Sequence, residues 1–434
     1  MSAYSEALRR LEAVVGEGHL LTATAAVAEY AVEGQTPFAV AFPSCPEEVA
    51  ALLRLASESK LSVLLRGAGS HLYLGEPPRA IGLVVVLTRL NRVVAYDPDD
   101  LTVTAQAGMS LGELQRVVGE HRQMLPLDPA GPPGATLGGL AAANLAGPLR
   151  MRYGSPRDLV IGMRVALPTG EVIKAGGRTV KNVAGYDLGK LFLGSLGTLG
   201  AMVELTLRLT PRPARWGLAA AVAEPGQAAE TAARLVGSAF ELAACHVLNG
   251  PAAARLRAAL PLAIRGEAWV LLAGLLGDEE AIAHQQRELA GMLGEGSAFL
   301  RDEEAEAVWA RVRAMGYPGD GSPLLRLVTP ISRVAEMVAQ VSARPGWSAM
   351  GQAGDGWVYA RAPAEAASGA YRQALGELRA AAEAAGGYAV LEAGPVELKR
   401  DLGVWGKIPN LDLMRALKEA YDPADVMGCG RLEG

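Results

Sequence analysis

The sequence predicts a mixed α+β protein of two or three domains. The chain has 434 residues, and one domain typically takes roughly 150 residues. Half of the residues are hydrophobic, which is enough for large cores. The 52 glycines and 26 prolines are scattered among apolar runs and form no low-complexity tract. This pattern is typical of a loop-rich globular protein and excludes a disordered chain.

The first third of the chain alternates between helix and strand signals. Ser44, with Glu47 three residues later, predicts a capping box before a helix over residues 49–59. Short apolar runs predict strands over 61–65, 82–87, 92–96 and 101–107. A further helix is expected at about 110–119. The first of these strands leads directly into a glycine-containing segment, 66–70.

The middle of the chain is dominated by small residues. Residues 126–154 are rich in Gly, Ala and Pro, and much of this segment has neither helical nor strand periodicity. Small residues at this density allow the backbone to approach another group closely. Strands are expected over 159–167 and 172–174, on either side of a turn at 168–170. A second glycine-rich segment, 181–200, leads into a strand over 201–209.

The composition shifts after Pro211-Arg212-Pro213 towards Ala-rich helices and strands. Strands are expected over 216–223, 268–276, 356–362 and 387–394. Amphipathic helices are expected near 227–240, 279–294, 329–343 and 364–385. This alternation predicts a separate cap, an antiparallel sheet with helices on one face. A last helix over 411–420 is expected to end at Tyr421-Asp422-Pro423.

Charge and cysteine content disfavour several function classes. A net charge of −5 and an aromatic content of 5% argue against nucleic-acid binding. Cys45, Cys245 and Cys429 are far apart and form no CxxC pair, so neither disulfides nor a zinc or iron–sulfur site is predicted. No apolar run is long enough for a membrane span, and the N-terminus has no signal-peptide pattern. We expect a cytoplasmic protein that can lie at the inner membrane only through partners.

The segment 66–70, which reads RGAGS, is the first chemical signal. Its glycines permit positive φ angles, so its N–H groups can form a nest for an anion such as a pyrophosphate. An ordinary glycine turn is the alternative. The dinucleotide fingerprint GxGxxG fails because Leu72 stands where the third glycine is needed. A phosphate-binding Walker A loop fails at 185–190, because one intervening residue is missing and Leu191 follows the lysine.

Four glycine loops, at 66–70, 134–139, 144–154 and 194–200, are separated by short strands, as expected for a long cofactor between two subdomains. The chain resembles the vanillyl-alcohol-oxidase family, also called the p-cresol-methylhydroxylase (PCMH) type. The matching stretches are PSCPEEV, RGAGS, GATLGG, YGSPRDLVIGMRVALPTGEV, KNVAGYDLGKLFLGSLGTLG and YDPADVMGCGRL. GATLGGLAAANLAGPLR, VKNVAGYD and RLTPRPAR are most similar to the E subunits of bacterial glycolate oxidases.

The resemblance implies a two-subdomain PCMH-type FAD-binding domain over 1–215 and an antiparallel α+β cap domain over 216–395. A C-terminal segment, 396–434, would return to the FAD domain. The first loop would hold the FAD pyrophosphate through Arg66, Gly67, Ala68, Gly69 and Ser70. The second side of the cofactor would be lined by Thr136, Gly138, Gly139, Asn144, Gly147, Tyr153 and Gly154. The residues near the adenine would be Gly200, Ala201, Met202 and Val203.

Three further positions bear on how the flavin is held. Some members of the family attach it covalently through a histidine at the fifth position of the first loop. Here Ser70 holds that position and His71 comes one residue later, so we predict non-covalent FAD. Lys181 and Asn182 lie where a polar pair can face the flavin ring, although Asn182 can equally cap a helix.

The cap lacks the histidines of the catalytic hydroxy-acid members, which carry the motif HAGDGNLH. The corresponding stretch, 352–359, reads QAGDGWVY, so Gln352 and Tyr359 replace both imidazoles. Neither side chain is a good general base near neutral pH. The histidines at 19, 121, 246 and 284 show no metal-ligand spacing, so no metal is expected and the catalytic residues stay unassigned. Cys429 is either a small packing residue or an exposed thiol.

The resemblance therefore predicts an FAD-binding oxidoreductase subunit of a glycolate oxidase complex, which converts glycolate to glyoxylate. Its flavin would transfer electrons, while a homologous FAD-containing catalytic subunit oxidises the substrate and an iron–sulfur subunit receives the electrons. Two alternatives stay open. One is an autonomous FAD-dependent 2-hydroxy-acid dehydrogenase that uses Tyr359 or Lys181. The other is an FAD-loaded scaffold subunit that does not turn over.

Overall fold

The computed structural model describes residues 3–177, 187–319, 321–364 and 368–432. A small mixed sheet comes first. Its strands are β1 (Leu20–Leu21), β2 (Ala39–Ala41), β3 (Val63–Arg66) and β4 (Leu83–Val86), in the order β1-β2-β4-β3. Strands β2, β4 and β3 are parallel, and β1 is antiparallel at one edge. The accompanying helices are α1 (Ala3–Val15), α2 (Thr24–Ala28) and α3 (Pro46–Glu58).

Helix α3 shows how local sequence fixes the position of the first glycine loop. Its buried residues include Val49, Leu52, Leu53 and Ala56, at the spacing of one helical face. The sequence predicted Glu47 as the capping partner of Ser44, and this is wrong. The backbone N–H and the hydroxyl of Ser44 donate to Glu48 instead, at 2.6 and 2.9 Å. The helix begins at Pro46, so Glu48 and not Glu47 is the third helical residue.

An antiparallel sheet of five strands completes the first part of the chain. The strands in this region are β5 (Val93–Asp97), β6 (Thr102–Gln106), β7 (Gln123–Met124), β8 (Val160–Ala166), β9 (Val172–Gly176), β10 (Ala201–Arg208) and β11 (Thr210–Pro211). The sheet order is β5-β6-β10-β8-β9, and β7 pairs with β11 alone. The helices are α4 (Leu111–Gly119), α5 (Leu137–Ala143), α6 (Arg150–Tyr153), α7 (Pro156–Leu159) and α8 (Gly189–Phe192).

The cap is built on one antiparallel sheet of eight strands, in the order β15-β12-β14-β13-β17-β18-β16-β19. The strands are β12 (Arg215–Ala223), β13 (Ala244–Leu248), β14 (Trp269–Gly277), β15 (Ala298–Arg301), β16 (Leu324–Val328), β17 (Ser348–Gln352), β18 (Trp357–Arg361) and β19 (Tyr388–Ala393). The helices are α9 (Pro225–Val236), α10 (Gly250–Ala254), α11 (Glu279–Leu293), α12 (Asp302–Met315), α13 (Val334–Ser342) and α14 (Ser368–Ala384).

Helices cover both faces of this sheet, so the prediction of helices on one face is wrong. Helices α9, α11, α13 and α14 pack on the face that carries Ala219 and Val247. Helices α10 and α12 pack on the opposite face, which carries Leu218 and Leu248. Every residue of β14 from Trp269 to Leu276 is buried, as expected for a strand covered on both sides.

The chain then returns to the small first sheet. Helices α15 (Val396–Leu402) and α16 (Leu411–Tyr421) lead to a final segment beside β3. The Val63 N–H donates to the Val426 carbonyl at 2.6 Å, and Val63 forms a parallel bridge with Met427. Strand β3 therefore contacts the final segment at its first residue and leads into the first glycine loop at its last residue. Within the described ranges, no helix is long and apolar enough to cross a membrane.

Candidate functional site

Two of the predicted glycine loops lie directly against each other. Strand β3 ends at Arg66, and the loop that follows contacts Thr136 at the start of helix α5. A Cβ atom on Gly67 would lie 2.0 Å from Thr136 Oγ1, so no larger residue fits there in this arrangement. Thr136 is buried, and its hydroxyl accepts a hydrogen bond from the Gly139 N–H at 3.3 Å. Close backbone approach, the property inferred from the glycine content, is therefore present.

The loop 194–200 joins this pair through backbone hydrogen bonds to helix α5. The Gly194 N–H donates to Ala141, at 3.0 Å, and the Leu196 N–H donates to Ala142, at 2.8 Å. Gly69 has a φ of +82°, and a Cβ atom there would lie 2.8 Å from the guanidinium of Arg66. That guanidinium lies 4.8 Å from the ring centroid of Tyr30, and burial lowers the pKa of Arg66. Three glycine loops thus converge at the end of β3.

These loops border two adjoining clefts of about 580 and 420 Å³, which we call together the glycine groove. The clefts share Leu65, Gly67, Thr136, Gly139, Ala142 and Leu196. Of the predicted cofactor residues, the groove is lined by Arg66, Gly67, Ala68, Gly69, Ser70, Thr136, Gly138, Gly139, Gly200 and Met202.

The other predicted residues are not among those that line the groove. Asn144 ends helix α5 at a φ of +49°, and its side-chain oxygen accepts from the Arg157 N–H at 3.0 Å. Gly147 packs on the Asp128 carbonyl, and Gly154 packs on the Asp158 carboxylate. Tyr153 contacts an apolar cluster that includes residues of the cap, and Ala201 and Val203 are buried in strand β10. Lys181 and Asn182 lie outside the described residues.

Cap residues close over one end of the groove. The Tyr317 hydroxyl donates to the Ser70 carbonyl at 2.9 Å. His71 packs edge-on against Tyr317, with ring centroids 5.6 Å apart. Its Nε2 lies 2.9 Å from the Ala130 carbonyl, which can only accept, so this nitrogen carries the proton. Burial lowers the pKa of His71, so the ring is neutral near pH 7.

The degenerate cap motif folds into the hairpin between β17 and β18. With its amide nitrogen turned towards Asp355, Gln352 donates to both carboxylate oxygens, at 3.1 and 2.7 Å. The Trp357 N–H donates to the same carboxylate at 3.2 Å. Burial raises the pKa of Asp355 to about 7, although the charges of Arg150 and Arg326 oppose this shift. Burial also raises the pKa of Tyr359 far above its ordinary value, so the phenol stays protonated.

Two arginines from different parts of the chain meet at this hairpin. The guanidinium of Arg150, from helix α6, lies 4.1 Å from the ring centroid of Trp357, and that of Arg326, from β16, lies 4.3 Å away. Arg326 forms an ion pair with Glu392, which is only 2% exposed. At this hairpin the cap thus presents one buried ion pair, a second guanidinium and an aromatic ring. In the described part of the chain, no group of acidic, histidine or cysteine side chains is placed to hold a metal ion.

Arg431, in the final segment, is a groove residue that the sequence reasoning missed. It lines the larger cleft together with the first glycine loop, although 359 residues separate it from Leu72, whose carbonyl it contacts. Arg150, Arg326 and Glu392 were missed for the same reason, because only the fold brings them to the hairpin. Cys429 is a packing residue and not an exposed thiol: it is buried beside Val40 and Leu64, and burial raises its pKa to about 11.

Comparison with known proteins agrees with this arrangement. Residues 37–176 match the model of an FAD binding domain, and residues 213–432 match that of the C-terminal domain of FAD linked oxidases. The chain is 30% identical to the glycolate oxidase subunit GlcD of Bacillus subtilis over 420 residues, which cover 91% of this chain and 89% of that protein. It is 39% identical to the glycolate oxidase subunit GlcE of Escherichia coli over 160 residues, 36% of this chain and 45% of that protein.

The fold leads to the same family as the sequence matches. The crystal structure of p-cresol methylhydroxylase superimposes with a TM-score of 0.70 at 16% identity, covering 98% of this chain and 95% of that chain. The predicted PCMH-type α+β fold is therefore confirmed. The glycine groove suits a cofactor that is held by backbone groups, because two glycine loops meet at Gly67, where there is no room for a side chain. The chain belongs to the family of FAD-linked oxidoreductases, with the flavin-binding domain first and the FAD-linked oxidase C-terminal domain after it.

Proposed function

We propose that this protein is the FAD-binding, electron-transferring subunit of a glycolate oxidase complex. The similarity to two kinds of glycolate oxidase subunit supports the substrate class and the presence of a partner. The proposed partners are a homologous flavoprotein subunit that oxidises glycolate to glyoxylate and an iron–sulfur subunit that receives the electrons. The FAD is proposed to be non-covalent, because the His71 ring is engaged with Ala130 and Tyr317.

The glycine groove would hold the dinucleotide. In this proposal the loop 66–70 donates backbone N–H groups to the pyrophosphate, and Thr136, Gly138 and Gly139 form the second wall. Gly200 and Met202 lie at the adenine end, and the other predicted contacts, such as Asn144 and Tyr153, act by supporting the loops. Bound flavin supplies a two-electron acceptor for a CH–OH donor. The protein orients it and excludes water where Tyr317 covers Ser70.

One observation carries the electron-transferring role: positions 352 and 359 of the cap hairpin, which hold histidine in the catalytic hydroxy-acid members that the chain resembles, carry no base for the hydroxyl proton of a substrate. Gln352 is not basic, and Tyr359 is kept neutral by burial. Arg326, one of the two arginines at this hairpin, is already paired with Glu392. A subunit with these features can hold a flavin and still depend on a partner for substrate oxidation.

The test compares the chain alone with the chain co-expressed with its two proposed partners. Purified alone, it is expected to be yellow and to keep its flavin oxidised when glycolate or D-lactate is added under anaerobic conditions. Co-expressed, the complex is expected to reduce an artificial acceptor with glycolate. Acid precipitation should release all flavin into the supernatant. Flavin reduction by glycolate in the isolated chain would contradict the electron-transferring role.

A variant without flavin separates electron transfer from a scaffold role. Gly69→Val places a branched side chain at a φ of +82° against Arg66 and should abolish FAD binding. Gly34→Val is the matched control, because Gly34 has the same φ of +82° and no atom within 4 Å of its Cβ position. The assembled complex should lose glycolate activity with Gly69→Val and keep it with Gly34→Val. Full activity in an assembled Gly69→Val complex would indicate a scaffold.

Asp355 favours a second candidate function, an autonomous 2-hydroxy-acid dehydrogenase. Its carboxyl has a pKa of about 7, raised by burial, and two arginines lie near it. A carboxyl group that titrates near neutral pH is suited to general acid–base work. If the isolated chain reduces its flavin with a hydroxy acid, this function predicts that Asp355→Asn removes the reaction, and that the rate rises with pH through about 7.

A further inference from the structure

Arg431 combines deep burial with an incomplete set of hydrogen bonds. Only 3% of the residue is exposed. Its backbone is fixed, because its carbonyl accepts from the Glu76 N–H at 3.0 Å and from the Trp405 indole at 3.2 Å. One terminal nitrogen of the guanidinium donates to the Leu72 carbonyl at 2.6 Å. The other terminal nitrogen is buried and has no hydrogen-bond partner among the described residues.

The nearby carboxylates do not balance this charge by direct contact. Glu33 forms an ion pair with Lys399, and Glu76 accepts a hydrogen bond from the Val404 N–H at 2.5 Å. Burial lowers the pKa of Arg431 in spite of the charges of Glu33 and Glu76. Burying a cation without a directly paired anion is energetically unfavourable. Such a group is stabilised when a ligand brings an anion to it.

The same residue belongs to the wall of the glycine groove. Arg431 lines the larger cleft together with Gly67, Gly69 and Thr136. Near neutral pH the isoalloxazine and the adenine of oxidised FAD are uncharged, and the negative charge of the molecule lies on its two phosphates. Arginine is well suited to phosphate, because its planar fork donates two parallel hydrogen bonds.

We propose that Arg431 binds a phosphate of FAD, so that the first glycine loop and the final segment of the chain hold the same anion. The proposal requires only that the chain binds FAD and does not depend on its role within a complex. It assigns to the guanidinium a function that no glycine-loop pattern reveals. It also explains why a buried cation is kept without a carboxylate in contact with it.

The test is a fluorescence titration of the flavin-free chain with FAD, ADP and riboflavin. Arg431→Gln is expected to weaken FAD and ADP binding by about tenfold to a hundredfold, since a charge-assisted hydrogen bond is lost. Riboflavin has no phosphate, so its affinity should stay within about twofold. Arg431→Lys should lose less than Arg431→Gln, because it keeps the charge but not the fork. Arg415→Gln, on the exposed face of α16, is the matched control and should bind like the wild type.

Thermal unfolding separates ligand binding from a purely structural role. If Arg431 serves the phosphate, the rise in melting temperature on adding FAD should be smaller in the Arg431→Gln chain than in the wild type, even where loss of the bond to Leu72 lowers the melting temperature without flavin. A purely structural residue predicts a lower melting temperature without flavin together with an FAD affinity within twofold of the wild type. That result would overturn the proposal. If FAD binding depends on Arg431 as expected but the assembled wild-type complex has no glycolate activity, only the proposed function is contradicted.

Discussion

Both ring nitrogens of His246 are buried in the cap and have no hydrogen-bond partner in the part of the chain that the structure describes. The residue is 1% exposed on strand β13, and its ring packs against Trp309, with centroids 5.4 Å apart. Burial lowers its pKa to about 3, whereas an unfolded histidine titrates near 6.5. Below pH 6.5 the unfolded state therefore takes up a proton that the folded state does not. Stability is lost as the pH falls from about 6.5 towards 3.

At the residue scale, we predict that His246→Leu stabilises the protein, and more so in acid. Leucine has a similar volume and needs no partner, so the cost of two buried unpaired nitrogens is removed. At pH 5 the unfolded wild-type chain takes up a proton at His246, which favours unfolding. The leucine variant has no such uptake, and this difference adds about 2 kcal/mol to the gain. Urea unfolding at pH 5 and pH 8 measures the difference. His284→Leu, at an exposed position on α11, is the control, and an equal gain at both pH values would contradict the prediction.

At the element scale, the contact between the loop after β3 and the start of α5 decides whether the groove forms. We predict that Gly67→Ala weakens FAD binding at least tenfold, because its Cβ would overlap Thr136 Oγ1 and displace the loop. Gly134→Ala is the matched control, since a Cβ there meets no atom within 4 Å.

A double variant checks that this overlap is the cause. Adding Thr136→Ala to Gly67→Ala removes the hydroxyl that overlaps the new methyl group and should recover part of the FAD affinity. If the loss of binding free energy in the double variant equals the sum of the losses in the two single variants, the two positions act independently. Isothermal titration of FAD into each flavin-free chain gives the four affinities.

The elements that the sequence predicted well are those with a strong period or a clear boundary. Helix α4 and strands β8 and β10 lie within one or two residues of the predicted ranges, because polar turns bound them. Strands β13 and β15 were missed, since five or four residues are too few to show a period. Helices α10 and α12, on the second face of the cap sheet, were missed, although the unbroken apolar run of β14 indicated burial on both sides.

At the scale of the whole molecule, an ion pair joins the C-terminal region to the first domain. Lys399, in helix α15, is 0% exposed, pairs with Glu33 and also donates to the Tyr73 carbonyl. We predict that Lys399→Met destabilises the protein by about 3–5 kcal/mol, because it leaves the Glu33 carboxylate buried without its cation. Chemical denaturation measures this change.

The double variant Lys399→Met/Glu33→Gln should be more stable than Lys399→Met alone, because the uncompensated charge is gone. Arg372→Met is the control, since its ion pair with Asp401 is largely exposed and such pairs contribute about 1 kcal/mol or less. A loss for Lys399→Met as small as that of Arg372→Met would contradict the prediction.

The candidate site was predictable only where its residues are close in sequence. RGAGS and GATLGG supply nine of the residues that line the groove, since the glycines of a short loop indicate a close backbone approach without any distant partner. Arg326 and Glu392 are 66 residues apart, and Arg431 and Leu72 are 359 apart. Neither contact leaves a local pattern, because each partner is an ordinary charged or apolar residue in its own segment.

The placement of the final segment beside β3 has a consequence for the order in which the protein is made. Domains generally fold as units, the N-terminal one first, while the chain is still being synthesised. Here Val63 pairs with the backbone of Val426, and Arg431 forms part of the groove wall. Both of these C-terminal residues are synthesised only after the whole cap. We therefore expect the nascent first domain to lack one side of the proposed cofactor site, so that FAD is taken up in full only after translation has passed the cap.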